Sequence, residues 1–177
     1  LERGFLVRRT NGTLGFASGV VRQIAYEGTA PEDRVRMHRR TAAYFRSAPN
    51  SPPARIAHHL EQAGALQDAA QAYLEAAERA GAVFANSNAL SLYAHALRLL
   101  PDDPEDRFTA HAGRERILRF LGRKAEQEAE LRAMENVTLR DRCMASGVYD
   151  HGYVLGYERL TDHVPGQGGP RHRLWRI

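Results

Sequence analysis

Histidine side chains are the first candidates for chemistry in this sequence, and His58, His59 and Glu61 form the densest group. Two histidines that bind zinc from one helix stand four residues apart, but the residue four beyond His58 is Gln62, a poor ligand. His59 falls on an apolar stripe of its predicted helix, and His38 does so on another. The spacing favours histidines packed in a core or an interface, and we expect no metal site.

Nucleophiles and paired carboxylates form the second group of candidates. A serine hydrolase places glycine two residues before and two after its serine, and neither Ser18 nor Ser146 has the first of these glycines. Cys143 is the only cysteine, and no flanking pattern of a nucleophile surrounds it. The acidic pairs at 102–103 and 105–106 lie beside prolines, as is typical of a turn before a helix. We predict no catalytic residue, so an enzyme is the function class that these patterns support least.

Phosphate and cofactor binding depend on lysine, and Lys124 is the only lysine in the chain. A phosphate-binding loop needs glycines followed by lysine and then serine or threonine. Lys124 is followed by Ala125, and the glycines near the start of the sequence have no lysine beside them. The chain is predicted to hold no ATP site and no cofactor.

Composition places the chain among globular proteins, with 43% hydrophobic and 26% charged residues. No stretch approaches the ~18 apolar residues of a membrane-spanning helix, and a single cysteine cannot form a disulfide scaffold. No secretory signal is present, and the sequence begins at Leu1 rather than Met. We expect a cytoplasmic location, no membrane partner, and a chain that is a piece of a longer protein.

Positive charge is concentrated in the first quarter of the sequence. The net charge is +4, and residues 1–46 contain nine arginines against four acidic residues. A basic face of this kind attracts phosphate groups or an acidic protein. The alternative is a solvated helix face, or one docked on an acidic neighbouring domain. The residues predicted to contact phosphate or an acidic partner are Arg8, Arg9, Arg36, Arg39 and Arg40.

The elements that must position these residues begin with a predicted β-hairpin at 5–18. Asn11-Gly12 separates two apolar runs there, and Asn-Gly favours a tight two-residue turn. A short helix is expected from Gly19 to Glu27. The next helix is expected to start near Thr29, whose hydroxyl would cap it, and to end near Ser47.

A hinge at residues 50–53, Asn-Ser-Pro-Pro, separates this module from a run of five predicted helices. Alanine recurs at their buried spacing, and small inner residues let helix axes approach closely, which suits stacked antiparallel pairs. The fourth helix is expected to turn Ile117, Phe120 and Leu121 inward. The predicted helices lie at about 51–64, 66–80, 87–100, 103–121 and 124–134.

The third of these helices resembles the second helix of a tetratricopeptide repeat (TPR). That family places small residues seven apart and a proline five residues later, and Ala89, Ala96 and Pro101 fall at those intervals. Ala70 and Ala77 repeat the seven-residue spacing, but they lie 19 residues upstream, which is about half a repeat. A regular period of about 34 residues is therefore not established. The array is identified as a set of degenerate TPR-like repeats.

The first 64 residues contain the motifs Leu6-Val7-Arg8-Arg9, Thr13-Leu14-Gly15-Phe16, Val20-Val21-Arg22-Gln23-Ile24-Ala25-Tyr26-Glu27, Arg34 with His38, and Ile56-Ala57-His58-His59-Leu60-Glu61. Together they resemble the winged-helix region that follows the ATPase module in STAND-type bacterial signalling ATPases. These occur in large transcriptional regulators, adenylate cyclases and serine/threonine kinase fusions, where TPR-like helices follow the winged helix. Ser18-Gly19 departs from the pattern, since many relatives carry His-Pro there. The resemblance covers residues 3–135.

The predicted fold class is mainly α, with a small winged-helix module that contains a β-hairpin, followed by an α-helical TPR-like array. The predicted domains are the winged-helix-like module at 1–48, the array at 51–138 and a tail at 139–177. The tail is rich in Gly, His and Arg, and its end lacks a helical period. We expect an irregular tail that is either poorly ordered or encoded in the wrong reading frame of GC-rich DNA.

The resemblance implies a non-catalytic protein-interaction and regulatory segment, which couples sensing of a partner or inducer to an output domain. Its partners would be proteins bound by the array and the upstream ATPase domain of a parent ATPase, kinase or cyclase. The alternative is a DNA-binding winged helix of a transcriptional regulator, although no helix shows a clear set of base-reading side chains. The partner-binding residues predicted between the helices are Tyr73, Arg79, Asn86, Asn88, Tyr93 and Arg98.

Overall fold

A computed structural model describes residues 5–8, 10, 12, 14–100, 104–140, 142–148, 154–161 and 168–176. Within these residues the chain forms seven helices, a two-stranded sheet near its start and a three-stranded sheet near its end. The mainly α fold class is therefore confirmed. In these same ranges, no helix has both the length and the apolar character needed to cross a membrane.

The N-terminal module begins with the predicted hairpin. Strands β1 (Leu6–Arg8) and β2 (Leu14–Phe16) pair antiparallel, with Leu6 opposite Phe16. Gly12 lies in the connecting segment at φ +80°, a conformation that the turn requires and that glycine adopts without steric cost. Most side chains of the hairpin are exposed, so its pairing depends on the backbone hydrogen bonds and the turn.

Two helices follow the hairpin, α1 (Gly19–Glu27) and α2 (Pro31–Ser47). Both were predicted from the sequence, but the Thr29 cap was wrong. The Thr29 hydroxyl donates to the carbonyl of Ala25 at 2.8 Å, because Thr29 closes the end of α1 and its side chain turns back along that helix. Helix α2 starts without a side-chain cap.

The array consists of five helices that each pack on the next along the chain. All five lie within a few residues of their predicted positions, and Gly64 and Gly122 end two of them as left-handed residues. They are α3 (Pro53–Gln62), α4 (Leu66–Ala82), α5 (Asn86–Leu99), α6 (Pro104–Phe120) and α7 (Lys124–Arg132).

Alanine is the most frequent buried residue in these helices, as the sequence predicts. The prediction for the end of α6 was wrong, however, since Phe120 is 69% exposed and Leu121 is also exposed. Ile117, one turn earlier, is buried near Gly81 of α4, whereas Phe120 lies in the last turn of α6, beyond that contact. The fully buried alanines are Ala57, Ala69, Ala70, Ala77, Ala89, Ala96 and Ala110.

The described part of the tail is a sheet, so the expectation of an irregular tail was wrong for these residues. Strands β3 (Cys143–Val148), β4 (Val154–Arg159) and β5 (His172–Arg176) pair antiparallel in that order. Trp175 joins β5 to β4 by donating from Nε1 to Oε2 of Glu158 at 2.7 Å. A search for helical spacing misses strands, because their side chains alternate with a period of two.

The first module meets the array through two histidines, one on α2 and one on α3. Nδ1 of His38 lies 2.8 Å from Nδ1 of His59, so one nitrogen donates a hydrogen bond and the other accepts it. The Tyr26 hydroxyl lies 3.1 Å from Nε2 of His38, and the Phe45 ring stacks on His59. Only one proton fits between the two Nδ1 atoms, so protonating both breaks the bond.

Cationic groups surround this histidine pair. Arg34 lies over the ring of Tyr26, and Arg55 lies over the ring of Phe45. The His58 ring is 6.3 Å from that of His38. Burial, and then the charge of His58, lowers the pKa of His38. Burial, and then the charges of His38, His58 and Arg55, lowers the pKa of His59. Both rings therefore resist protonation more in the folded chain than in the unfolded chain.

Acid is expected to destabilise this junction. The unfolded chain takes up protons at the ordinary histidine pKa of 6.5, whereas the folded chain takes them up only at lower pH. Stability is thus fully present above pH 6.5 and is lost as the pH falls from there through the lowered pKa values. The urea concentration at the midpoint of unfolding, followed by circular dichroism, should be lower at about pH 5.5 than at about pH 7.5.

Two matched variants, His59→Gln and His95→Gln, test whether the histidine pair causes this loss of stability in acid. Glutamine at 59 can still hydrogen-bond to His38 but does not titrate, so the fall in midpoint should shrink. His95→Gln removes a histidine outside the pair and should leave the fall unchanged. An equal fall in both variants would contradict a role for the pair.

Candidate partner-binding groove

Three helices of the array end in the same type of backbone turn. The second residue beyond each helix is left-handed: Gly64, Phe84 and Gly122 have φ of +73°, +58° and +70°. In each turn the N–H of the next residue donates to the carbonyl five residues earlier, at 2.9 or 3.0 Å. Glycine is the usual residue at such a position, and Phe84 is the exception.

Phe84 carries backbone strain at this position. A left-handed conformation costs a residue with a Cβ roughly 1–2 kcal/mol. Its ring is 73% exposed and lies 6.0 Å from the ring of Phe120, which is also exposed. We call Phe84 and Phe120 the aromatic pair. The left-handed backbone thus places an aromatic ring outside the core, beside a second exposed ring.

The aromatic pair borders a groove of about 370 Å³ between α4, α5 and α6. Tyr93 and Ile117, both buried, line its interior. Glu78 and Arg116 contribute one carboxylate and one guanidinium to its lining. The groove is therefore apolar at its base and carries both signs of charge around it.

Glycine at 113 allows the base of this groove to form. A Cβ atom at Gly113 would overlap the Tyr93 ring, lying 2.7 Å from Cε1, so α6 approaches α5 more closely than any other residue would permit. Tyr93 is 3% exposed. Burial, and then the negative charge of Glu78, raises the pKa of Tyr93.

The structure separates the six predicted partner-binding residues. Asn86 and Tyr93 both line the groove. Arg79 is on the exposed side of α4, where it pairs with Glu75 at 2.5 Å, and Asn88 is exposed in the first turn of α5.

The remaining two, Tyr73 and Arg98, meet at a different carboxylate. The Tyr73 hydroxyl donates to Oε2 of Glu61 at 2.8 Å, and Arg98 donates to Oε1 at 2.7 Å. Burial, and then the bond to Glu61, raises the pKa of Tyr73 to about 12. Burial favours a raised pKa for Glu61, but the bonds from Arg98 and Tyr73 outweigh it and lower that pKa. This cluster ties α3, α4 and α5 together.

Three of the residues predicted to contact phosphate or an acidic partner lie on one helix, α2. Arg36 pairs with Asp33 at 2.7 Å, and Arg39 and Arg40 are exposed on α2. Arg8 is exposed on β1. Arg9 lies outside the described residues.

Sequence reasoning missed both residues of the aromatic pair. Helical spacing predicts Phe120 on the inner side of α6, and the predicted partner contacts do not include Phe84. The available signal was the apolar pair Val83-Phe84 in a turn, at a place where two other helix ends carry glycine. An apolar side chain in a turn, where burial does not require it, can indicate a binding residue.

Among the described residues, no set of three or more His, Cys, Asp or Glu side chains is placed to hold a metal ion. Comparisons with protein-family models, curated proteins and solved structures return no match to this chain.

Two helical glycines give a matched test of the close approach at the groove. Gly113→Ala should lower the free energy of unfolding by about 1–3 kcal/mol, because the new methyl group overlaps the buried Tyr93 ring. Gly81→Ala is the control, since its Cβ would lie 3.9 Å from Cδ1 of Ile117, an ordinary contact. That variant should gain about 0.5–1 kcal/mol from helix propensity. Urea unfolding measures both, and a stabilised Gly113→Ala would contradict the packing.

The strain at Phe84 predicts an order of stability between two variants. Both Phe84→Gly and Phe84→Ala remove the ring, but only glycine relieves the left-handed backbone. Phe84→Gly should therefore be more stable than Phe84→Ala by about 1 kcal/mol in urea unfolding. Gly122→Ala, at an equivalent helix end, should lose a similar amount. Equal stability of the two Phe84 variants would show that the turn is not strained.

Proposed function

We propose that this chain is a non-catalytic protein-interaction and regulatory segment of a larger bacterial signalling ATPase of the STAND type, acting in the cytoplasm. In this proposal the helical array binds a protein partner, and the first module couples that event to an output domain. The order of elements supports it, since a hairpin module is followed by helices that each pack on the next along the chain.

The observation that carries the proposal is the strained, exposed Phe84 beside Phe120. Strained backbone persists where surrounding structure or function requires it, and it clusters at binding sites. A ring that is 73% exposed contributes little to the core, so packing does not account for the strain. Contact with a partner does account for it.

The groove favours a protein segment that inserts one large apolar side chain. Its volume of about 370 Å³ suits a single aromatic or branched aliphatic residue with its flanking backbone. Aromatic residues and arginine dominate the binding energy of protein interfaces, and here Phe84, Phe120 and Arg116 border one opening. We therefore assign the main partner contact to these three residues.

Peptides selected on the full chain from a random phage-displayed library test this assignment. The selected peptides should share a large apolar residue and bind in a fluorescence polarisation assay. Phe120→Ala and Phe84→Gly should each weaken binding by about tenfold or more, which corresponds to roughly 1.4 kcal/mol. Because Phe84→Gly relieves strain, its loss of binding cannot be attributed to unfolding.

Val83→Ala is the matched control. Val83 is as exposed as Phe84 and adjacent to it, but it does not line the groove, so the affinity should be retained. Peptides that bind equally well to Phe84→Gly and Phe120→Ala would place the contact elsewhere. A selection that enriches no peptide would reject peptide binding by the array.

A further inference from the structure

A buried tyrosine hydroxyl lies at the groove beside the aromatic pair. Tyr93 is 3% exposed, and it lines the groove together with Gly113 and Ile117. Its hydroxyl lies next to Gly113, where a Cβ atom would overlap it. The end of the Tyr93 ring thus occupies the space that a side chain at position 113 would take.

The hydroxyl of Tyr93 differs from that of Tyr73, which is also buried in the array. The Tyr73 hydroxyl donates to Glu61 at 2.8 Å. The Tyr93 hydroxyl makes no hydrogen bond in the described part of the chain, yet no fully enclosed side-chain nitrogen or oxygen lacks a partner there. The Tyr93 hydroxyl is therefore open to the outside, and the groove is the opening that Tyr93 lines.

The charges at the groove favour a neutral group beside this hydroxyl. Burial, and then Glu78, raises the pKa of Tyr93, while Arg116 acts in the opposite direction. A carboxylate or an ammonium group there would be attracted by one of these two side chains and repelled by the other, and it would lose its hydration. A tyrosine hydroxyl, whose ordinary pKa is about 10, is protonated at neutral pH and can both donate and accept. A neutral donor or acceptor on the ligand therefore suits it.

Binding in the groove has to replace the hydrogen bond that this hydroxyl makes to water. A side chain that fills the groove displaces that water, and an aliphatic or phenyl group gives no bond in return. A polar group that is buried without a partner weakens binding by about tenfold or more. The groove is therefore expected to distinguish side chains by the group at their end as well as by their size.

We propose that the partner inserts an aromatic side chain that ends in a neutral hydrogen-bonding group, as tyrosine and tryptophan do, and that this group bonds to the Tyr93 hydroxyl. The inserted ring packs on Ile117, beside the aromatic pair. Tyr93 is then the residue that selects tyrosine or tryptophan over phenylalanine and leucine. This inference rests on the partner binding proposed for the groove, and it adds the chemical class of the inserted side chain.

Two variants test the unbonded hydroxyl without any ligand. Tyr93→Phe removes a hydroxyl that makes no bond within the chain, so the urea midpoint of unfolding should not fall. Tyr73→Phe removes the hydroxyl that donates to Glu61, and it should lower the midpoint. A fall for Tyr93→Phe as large as that for Tyr73→Phe would overturn the inference, because the hydroxyl would then be bonded within the fold.

The same two variants test the choice of side chain. Peptides selected on the full chain from the random phage-displayed library are synthesised with either tyrosine or phenylalanine at the inserted position. In fluorescence polarisation, the tyrosine peptide should bind the wild-type chain about tenfold more tightly than the phenylalanine peptide. On Tyr93→Phe this difference should shrink to about twofold or less, whereas Tyr73→Phe should retain it in full.

The outcomes separate this inference from the proposed function. An equal preference for tyrosine on the wild-type chain and on Tyr93→Phe would overturn the inference and leave the groove as the partner site. A preference for phenylalanine, with binding that still depends on Phe84 and Phe120, would do the same. Peptides whose affinity depends on neither Phe84 nor Phe120, or a selection that enriches no peptide, would overturn the proposed function and this inference together.

Discussion

Close contact between helices, made possible by alanine, is the constraint on which the array depends. Among the described residues, eight alanines are at most 1% exposed, seven of them in the array, and Leu118 is the largest side chain buried to that degree. A methyl group at a helix contact leaves no room for a larger residue, so the array is held by many short contacts. At Gly113 the contact is closer still, because the absence of a side chain lets the Tyr93 ring pack against the α6 backbone. Phe84 and Phe120, near the ends of α4 and α6, remain exposed beside the groove.

Two partly buried carboxylates supplement these contacts. Glu61 accepts from side chains on α4 and α5, and Glu130 accepts from two side chains on α6. Their side chains are 17% and 11% exposed, so these bonds are less screened than surface ion pairs. In a chain whose only lysine is Lys124, the cation at each carboxylate is arginine, whose planar donors hold a fixed direction. Apolar contacts set the distance between helices, and these bonds set how the helices are aligned.

The helices of this chain could be predicted from sequence because their signals are local. Alanine spacing gave the inner faces, and Pro and Gly gave most of the ends. The same spacing places Tyr73 and Tyr93 on those inner faces, where both are buried. The exposure of Phe120 could not be predicted, since it depends on how far neighbouring helices extend. Thr29 was ambiguous because one hydroxyl can serve the helix before it or the helix after it. The sheet at 143–176 was missed because its strands are short and carry arginine and glycine, which mask their alternation.

Phe84 also bears on how this sequence can change over generations. Most substitutions in a protein lower its stability, and natural sequences stay just above the stability that function requires. Position 84 is an exception, because glycine there would relieve strain, as it does at Gly64 and Gly122. Random drift should therefore replace this phenylalanine readily once nothing selects for its ring. If the groove binds a partner as proposed, a descendant that retains the ring is expected to be under selection there, and one with glycine at 84 and an intact core is expected to have lost that selection but not its fold.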